Sequence, residues 1–189
     1  MKRLYFPFVP LLGVVLLIAG ASYGKEGRTG STGDTFLSKA IEMNQAELEI
    51  SRMAQGKAEN PGVKEYADMM VRDHTEALEK LRSAANVSEG QVPLTKEHQE
   101  IYDKLARLTG AEFDTEYMSA MVRDHREAVQ TFQHEAENAD RGATTQRQKP
   151  GTQAGAGGAA IAREMLPTLQ KHLSDAEQLT KALGDTSTK

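Results

Sequence analysis

The chain has 189 residues, with 23 Lys plus Arg against 27 Asp plus Glu, eight Met, no Cys and no Trp. That length makes one modest domain, and the missing cysteines remove disulfide frameworks, thiolate metal sites, iron–sulfur clusters, cysteine nucleophiles and lipoprotein anchors. A formal charge of −4 and a pI near 5.8 argue against a nucleic-acid partner, so any chemistry falls to His, Met and carboxylates.

The chain opens with Lys2 and Arg3, an apolar run from Leu11 to Ala19, and the small residues Ala19-Gly20-Ala21. That order is the pattern of a secretory signal peptide over residues 1–21, cut near Ala21. An uncleaved anchor is the competing reading, because residues 4–21 are largely apolar over 18 positions, the lower limit for a bilayer span. Pro7 and Pro10 weaken such a helix. Cleavage shifts the formal charge from −4 to −6 and leaves an exported protein of the periplasm or cell envelope with no integral membrane segment. Residues 22–33 carry four glycines among polar residues and read as a flexible linker to a folded domain over 34–184, followed by a tail over 185–189.

Beyond the linker the composition is that of helices, with no alternating Val, Ile or Thr run to make a strand. Asp34 or a neighbouring hydroxyl residue caps helix A, whose apolar row runs through Phe36, Leu37, Ala40, Ile41, Leu48 and Ala54 to about Ala58. Asn60-Pro61 is an N-cap followed by an N1 proline and starts helix B, with Val63, Ala67, Met70, His74, Leu78, Leu81 and Ala85 inward. Thr95 opens a short connecting helix ending at Gly110, and Thr109 with Glu112 offers a capping box for helix C. Helix C faces inward through Asp114, Met118, Met121, His125, Val129 and Phe132. Residues 138–158 are rich in Gly, Gln and Thr without period and read as a mobile loop. Helix D spans about 159–183 with Met165, Leu169, His172 or Leu173, Ala176 and Leu179 inward, and Pro167 should kink it unless the helix starts there.

An internal repeat ties the helices together. Residues 65–77 align with 116–128 at an offset of 51, identical at nine of thirteen positions, including Arg72-Asp73-His74 and Arg123-Asp124-His125. Two copies are too few for a solenoid, so B and C are equivalent helices of one bundle, parallel if the connection crosses its length. Counting from the helix ends brings His172, in an antiparallel helix D, level with His125 to within a turn, and Glu47 level with His74. One ligand-capable residue per helix then meets at mid-bundle: Glu47, His74, His125 and His172. Three imidazoles and a carboxylate suit one zinc, copper or iron ion.

The same spacing also fits a buried polar network in which Asp73 and Asp124 take up the imidazole protons, since a single His on an apolar face is more often a hydrogen-bonded core residue. Met70 and Met121 stand one turn before His74 and His125; thioethers favour Cu(I), while gap-filling in a core short of aromatics is the plainer role. Tyr66 and Tyr117 repeat eight residues before the two histidines and brace the bundle. His98 and His134 read as solvated surface groups. Arg72/Glu76 and Arg123/Glu127 read as surface i,i+4 pairs.

The motifs Ala46-Glu47-Leu48-Glu49, Asn60-Pro61, Met70-Val71-Arg72-Asp73-His74, Gly110-Ala111-Glu112-Phe113-Asp114 with Tyr117 and His125, and Leu166-Pro167 through Lys171-His172 resemble, in order, those of the domain-of-unknown-function 4142 family. The resemblance covers about residues 35–183. It implies an exported bacterial protein, often labelled an outer membrane protein, with an all-α fold: a ferritin-like four-helix bundle with a short extra helix in the B–C crossover. It implies no settled activity. Carboxylate-bridged di-iron sites need a Glu three residues before each helix-borne His, and those positions here are Val71, Val122 and Leu169. The expected function is a non-enzymatic envelope bundle whose His cluster is structural or holds one ion; the alternative is a metal-dependent redox enzyme of the periplasm.

Overall fold

The computed structural model describes residues 32–88, 90, 92–145 and 154–186. The expected signal peptide and nearly all of the expected linker fall outside these residues. Five helices carry the described chain: α1 (Thr32–Lys57), α2 (Pro61–Ala85), α3 (Lys96–Arg107), α4 (Gly110–Thr145) and α5 (Ala154–Thr186). No strand occurs among the described residues.

The boundaries follow local chemistry. Asn60 caps α2, its side chain accepting from the backbone N–H groups of Gly62 and Val63, with Pro61 at the first helical position, where no N–H is needed. Asn86 ends α2 in the left-handed region at φ 52°, which turns two free N–H groups back onto Arg82 and Ser83 carbonyls. Thr95 caps α3, and Lys57 donates to the Leu105 and Ala106 carbonyls at the other end of that helix. Helix α3 stops at Arg107 rather than at Gly110; Gly110 instead opens α4 at φ +61°, a conformation that suits glycine.

Helices α1 and α2 pair through a three-residue turn, α4 and α5 pair most extensively, and α2 against α5 with α1 against α4 closes the bundle. That leaves α2 and α4, the repeat helices, on opposite corners. Tyr66 meets Tyr117 with ring centroids 6.3 Å apart, and His74 meets His125 at 5.6 Å. Equivalent residues of the two copies therefore face each other at two levels eight residues apart, so α2 and α4 run parallel, as the repeat implies. Gly62 lets α2 close on α5: a Cβ there would sit 3.0 Å from Leu179 Cδ2.

The helices reach further than composition indicates. Of the expected loop over 138–158, α4 occupies the part to Thr145 and α5 the part from Ala154; residues 146–153 are outside the described set. Helix α1 begins at Thr32, inside the expected linker, and α5 runs to Thr186, past the expected domain end. Pro167 lies within α5, which continues through it.

The apolar core comes in two clusters. One holds Ile50, Val63, Tyr66, Met70, Leu105, Phe113, Tyr117, Met118 and Met121, and the other Phe36, Leu37, Ile41, Leu48, Leu78, Leu81, Phe132, Met165 and Leu169. Each such side chain removed from water contributes about 1.5–3 kcal/mol. Along α2 the clusters are separated at His74, along α4 at Asp124 and His125 and along α5 at His172, and Asn44 and Glu47 of α1 are buried against His74. A buried polar layer therefore cuts the bundle in half.

Candidate metal centre

Helical spacing puts the layer together. The i, i+3, i+7 row Asn44, Glu47 and Ser51 turns inward on α1, and His74, His125 and His172 take the matching height on α2, α4 and α5. The three rings form a nearly equilateral triangle, with centroids 5.6, 5.4 and 5.3 Å apart. One donor nitrogen from each lies within 4.8 Å of the others, and all three residues are buried. His172, not Leu173, is the residue of α5 that turns inward.

Partners fix which nitrogen of each ring carries its proton. Asn44 Nδ2 donates to the His74 carbonyl at 2.7 Å, which points Asn44 Oδ1 at His74 Nδ1, 2.8 Å away. His74 Nδ1 must then donate. His125 Nδ1 lies 3.0 Å from the Met121 carbonyl, which can only accept. His172 Nε2 lies 3.0 Å from Asp73 Oδ2, whose carboxyl is held below its ordinary pKa by hydrogen bonds from His172 and Arg72, against an opposing effect of burial. The remaining nitrogens, His74 Nε2, His125 Nε2 and His172 Nδ1, are buried and have no hydrogen-bond partner. Each neutral ring thus holds a free lone pair.

Electrostatics keep the rings neutral. Burial, with the neighbouring rings adding to it, pushes His74 well down and His125 down to about 3, and burial likewise lowers His172. Glu47 is displaced the other way, well above its ordinary value, by burial and then by Asp124. Its oxygens lie 3.3 Å from His74 Nδ1 and 3.3 Å from His125 Nδ1, and Oε1 has no hydrogen bond. Glu47 therefore stands behind two of the rings, on the side already occupied by their N–H groups, and is not part of the donor group.

The supporting residues divide. Asp73 takes up an imidazole proton as the sequence indicates, whereas Asp124 does not: it accepts from Arg123, and its Oδ2 is buried without a partner. The Arg72/Glu76 and Arg123/Glu127 pairs are replaced by bonds from each arginine to the adjacent aspartate, with Glu76 and Glu127 turning to Lys80 and Lys39. Met70 and Met121 are fully buried in the apolar cluster on one side of the layer. Tyr117 shares a hydrogen bond with Ser51, and Tyr66 donates to the His172 carbonyl, so both brace the layer. Asp114 lies at the end of the bundle and accepts from the backbone N–H groups of Glu59 and Asn60. His134 is exposed, but His98 is largely covered and bonds Glu42 Oε1 at 2.8 Å. Asn44 was not among the sequence candidates; its signal is a polar residue one turn before Glu47 on an otherwise apolar face.

Two cavities flank the layer. One, of about 220 Å³, lies between α2 and α5 and reaches His74 and His172. The other, of about 170 Å³, reaches Glu47 and Asp124 beside His98.

The ordered motifs and this single-chain bundle agree with comparison to known proteins, in which residues 21–179 match the domain of unknown function DUF4142. The chain belongs to the DUF4142 family. Among solved structures, a DUF305 protein from Streptomyces coelicolor, named there as a secreted protein, superposes with a TM-score of 0.56 at 14% identity, covering 80% of the DUF4142 chain and 92% of its own. That likeness is one of fold. No curated protein matches the DUF4142 chain. No described helix is long and apolar enough to cross a membrane.

Proposed function

We propose that this DUF4142 protein is an exported, non-enzymatic bundle of the cell envelope that holds one transition-metal ion of the zinc, copper or iron class on His74 Nε2, His125 Nε2 and His172 Nδ1. The observation that carries the proposal is the set of three buried, unpartnered ring nitrogens converging from three helices. Leaving a buried polar atom without a partner costs about 1–3 kcal/mol, and three at one height is a cost that a purely structural layer has no reason to retain. Imidazole nitrogen without thiolate suits borderline ions, whereas magnesium and calcium want oxygen ligands. Metal–nitrogen bonds of about 2.0–2.1 Å bring three donors to about 3.3–3.6 Å from one another, which the rings reach by moving less than about 1 Å each. Asn44, the Met121 carbonyl and Asp73 orient the rings, and Glu47 supplies a carboxylate close to a dication that would otherwise be buried without countercharge. The signal-peptide pattern of residues 1–21 and the secreted relative in fold support export.

A second reading, a metal-dependent redox enzyme, draws on the cavity at His74 and His172, which leaves room for a reacting ligand. It requires turnover with the loaded protein.

Elemental analysis and calorimetric titration with zinc and copper test the proposal. About one equivalent per chain is expected, abolished when His74, His125 and His172 are all replaced by Gln. Metal retained by the triple variant, or no binding by the parent, overturns it.

A further inference from the structure

Resting on that three-histidine site, we infer that the cavity between α2 and α5 is a subsite at the fourth coordination position, and that it takes a small uncharged donor in preference to an anion.

No fourth His or carboxylate joins the donor group among the described residues, while a tetrahedral ion needs a fourth ligand. Two of the three ligand residues, His74 and His172, line the cavity between α2 and α5. The cavity on the other side of the layer touches none of the rings and meets Glu47, on the side of the ring N–H groups. The open position therefore faces α2 and α5. A volume of about 220 Å³ equals roughly seven waters at about 30 Å³ each, enough for a five-membered heterocycle.

Charge selects the ligand. Asp73, Glu76 and Glu164 line this cavity against one ammonium, Lys80, which is already bound to Glu76 at 3.1 Å and Glu164 at 3.0 Å. Glu47 and Asp73 stand against the three rings, two carboxyl groups for one divalent ion. Arg72, bonded to Asp73 at 2.9 Å, and Lys80 are both already paired with these carboxylates, so an entering anion meets no unpaired cation in the lining, whereas a neutral nitrogen donor needs none. Ala77, Met165 and Leu169 give the same cavity apolar walls for the body of such a ligand.

The test uses the full-length protein loaded with Co(II), whose visible bands report the fourth ligand, titrated at pH 8 with imidazole and, separately, with azide. Imidazole is expected to shift the bands with one-to-one saturation, and azide to bind at least tenfold more weakly. Ala77→Phe and Thr168→Phe, which add bulk from opposite helices, are each expected to weaken imidazole at least tenfold with cobalt stoichiometry unchanged. Bound cobalt whose bands respond to neither ligand, azide binding as tightly as imidazole, or an undiminished imidazole response in both Phe variants each overturns the inference and leaves the metal site standing. No cobalt binding by the parent overturns both.

Discussion

Asp114 and Glu47 are buried alike, each 2% exposed, and they solve the problem of a buried carboxylate in opposite ways. Asp114 accepts two backbone N–H groups at the α1–α2 turn, at 3.2 and 2.7 Å, so its charge closes a turn and ties it to α4. Glu47 has an oxygen with no hydrogen bond, no fixed cation beside it, and a pKa driven up by burial. The first is architecture. On the proposed function a positive charge among the three rings beside it would balance the second, and the contrast separates a residue that holds the bundle from one placed beside the proposed site.

The largest effect that sharpens this contrast is at the architectural end. Asp114→Ala orphans two N–H groups and is expected to cost about 2–4 kcal/mol in denaturant unfolding, with metal stoichiometry unchanged in the folded fraction. Next comes the ion. Zinc at 100 times its dissociation constant should stabilise the parent by about 2.7 kcal/mol. His125→Leu should remove that gain while leaving the metal-free protein within about 1 kcal/mol of the parent, because Nε2 has no partner and Nδ1 gives up a single hydrogen bond, to the Met121 carbonyl of its own helix. A loss of several kcal/mol in metal-free His125→Leu would instead mark the layer as structural. Glu47→Gln should weaken metal binding by about 10–100-fold in calorimetry, as for other groups that orient ligands.

Acidity gives a smaller, signed effect on the metal-free protein. The three imidazoles have depressed folded pKa values, so they favour folding above about pH 6.5, and that contribution is lost as pH falls toward the folded values, about 3 for His125. Glu47, raised in the folded protein, works the other way: its contribution is present below about pH 4.5 and is lost as pH rises through its folded value. Between about pH 4.5 and 6.5 the depressed imidazoles outnumber the one raised carboxyl, so stability should rise with pH, and Glu47→Gln should steepen the rise. Denaturation midpoints across that window check both the sign and the steepening. Smallest of all, Lys39→Ala breaks an ion pair with Glu127 in which both partners are about half exposed, and should change unfolding stability by no more than about 0.5 kcal/mol.

Much of this was legible before any coordinates. The 51-residue repeat announced two equivalent helices, and helix counting put His74, His125 and His172 at one height. Local capping chemistry at Asn60-Pro61 and Thr95 marked the starts of α2 and α3 where the structure has them. Composition misled at residues 138–145 and 154–158, where Gly, Gln and Thr read as a loop. Helix propensity is a weak prior, and composition alone does not set where a helix ends. The i,i+4 arginine pairs misled for a related reason: an adjacent aspartate was within reach of each guanidinium, and lysines on other turns or helices took the glutamates.

Sequence alone set the heights, because a helix advances about 1.5 Å per residue whatever surrounds it. It could not decide which ring nitrogen was left free. That depended on Asn44, 30 residues from His74, and on Asp73, 99 residues from His172, arriving on the outer side of each ring. A histidine's tautomer is set by the acceptor placed against it, and only packing the four long helices together put those acceptors there.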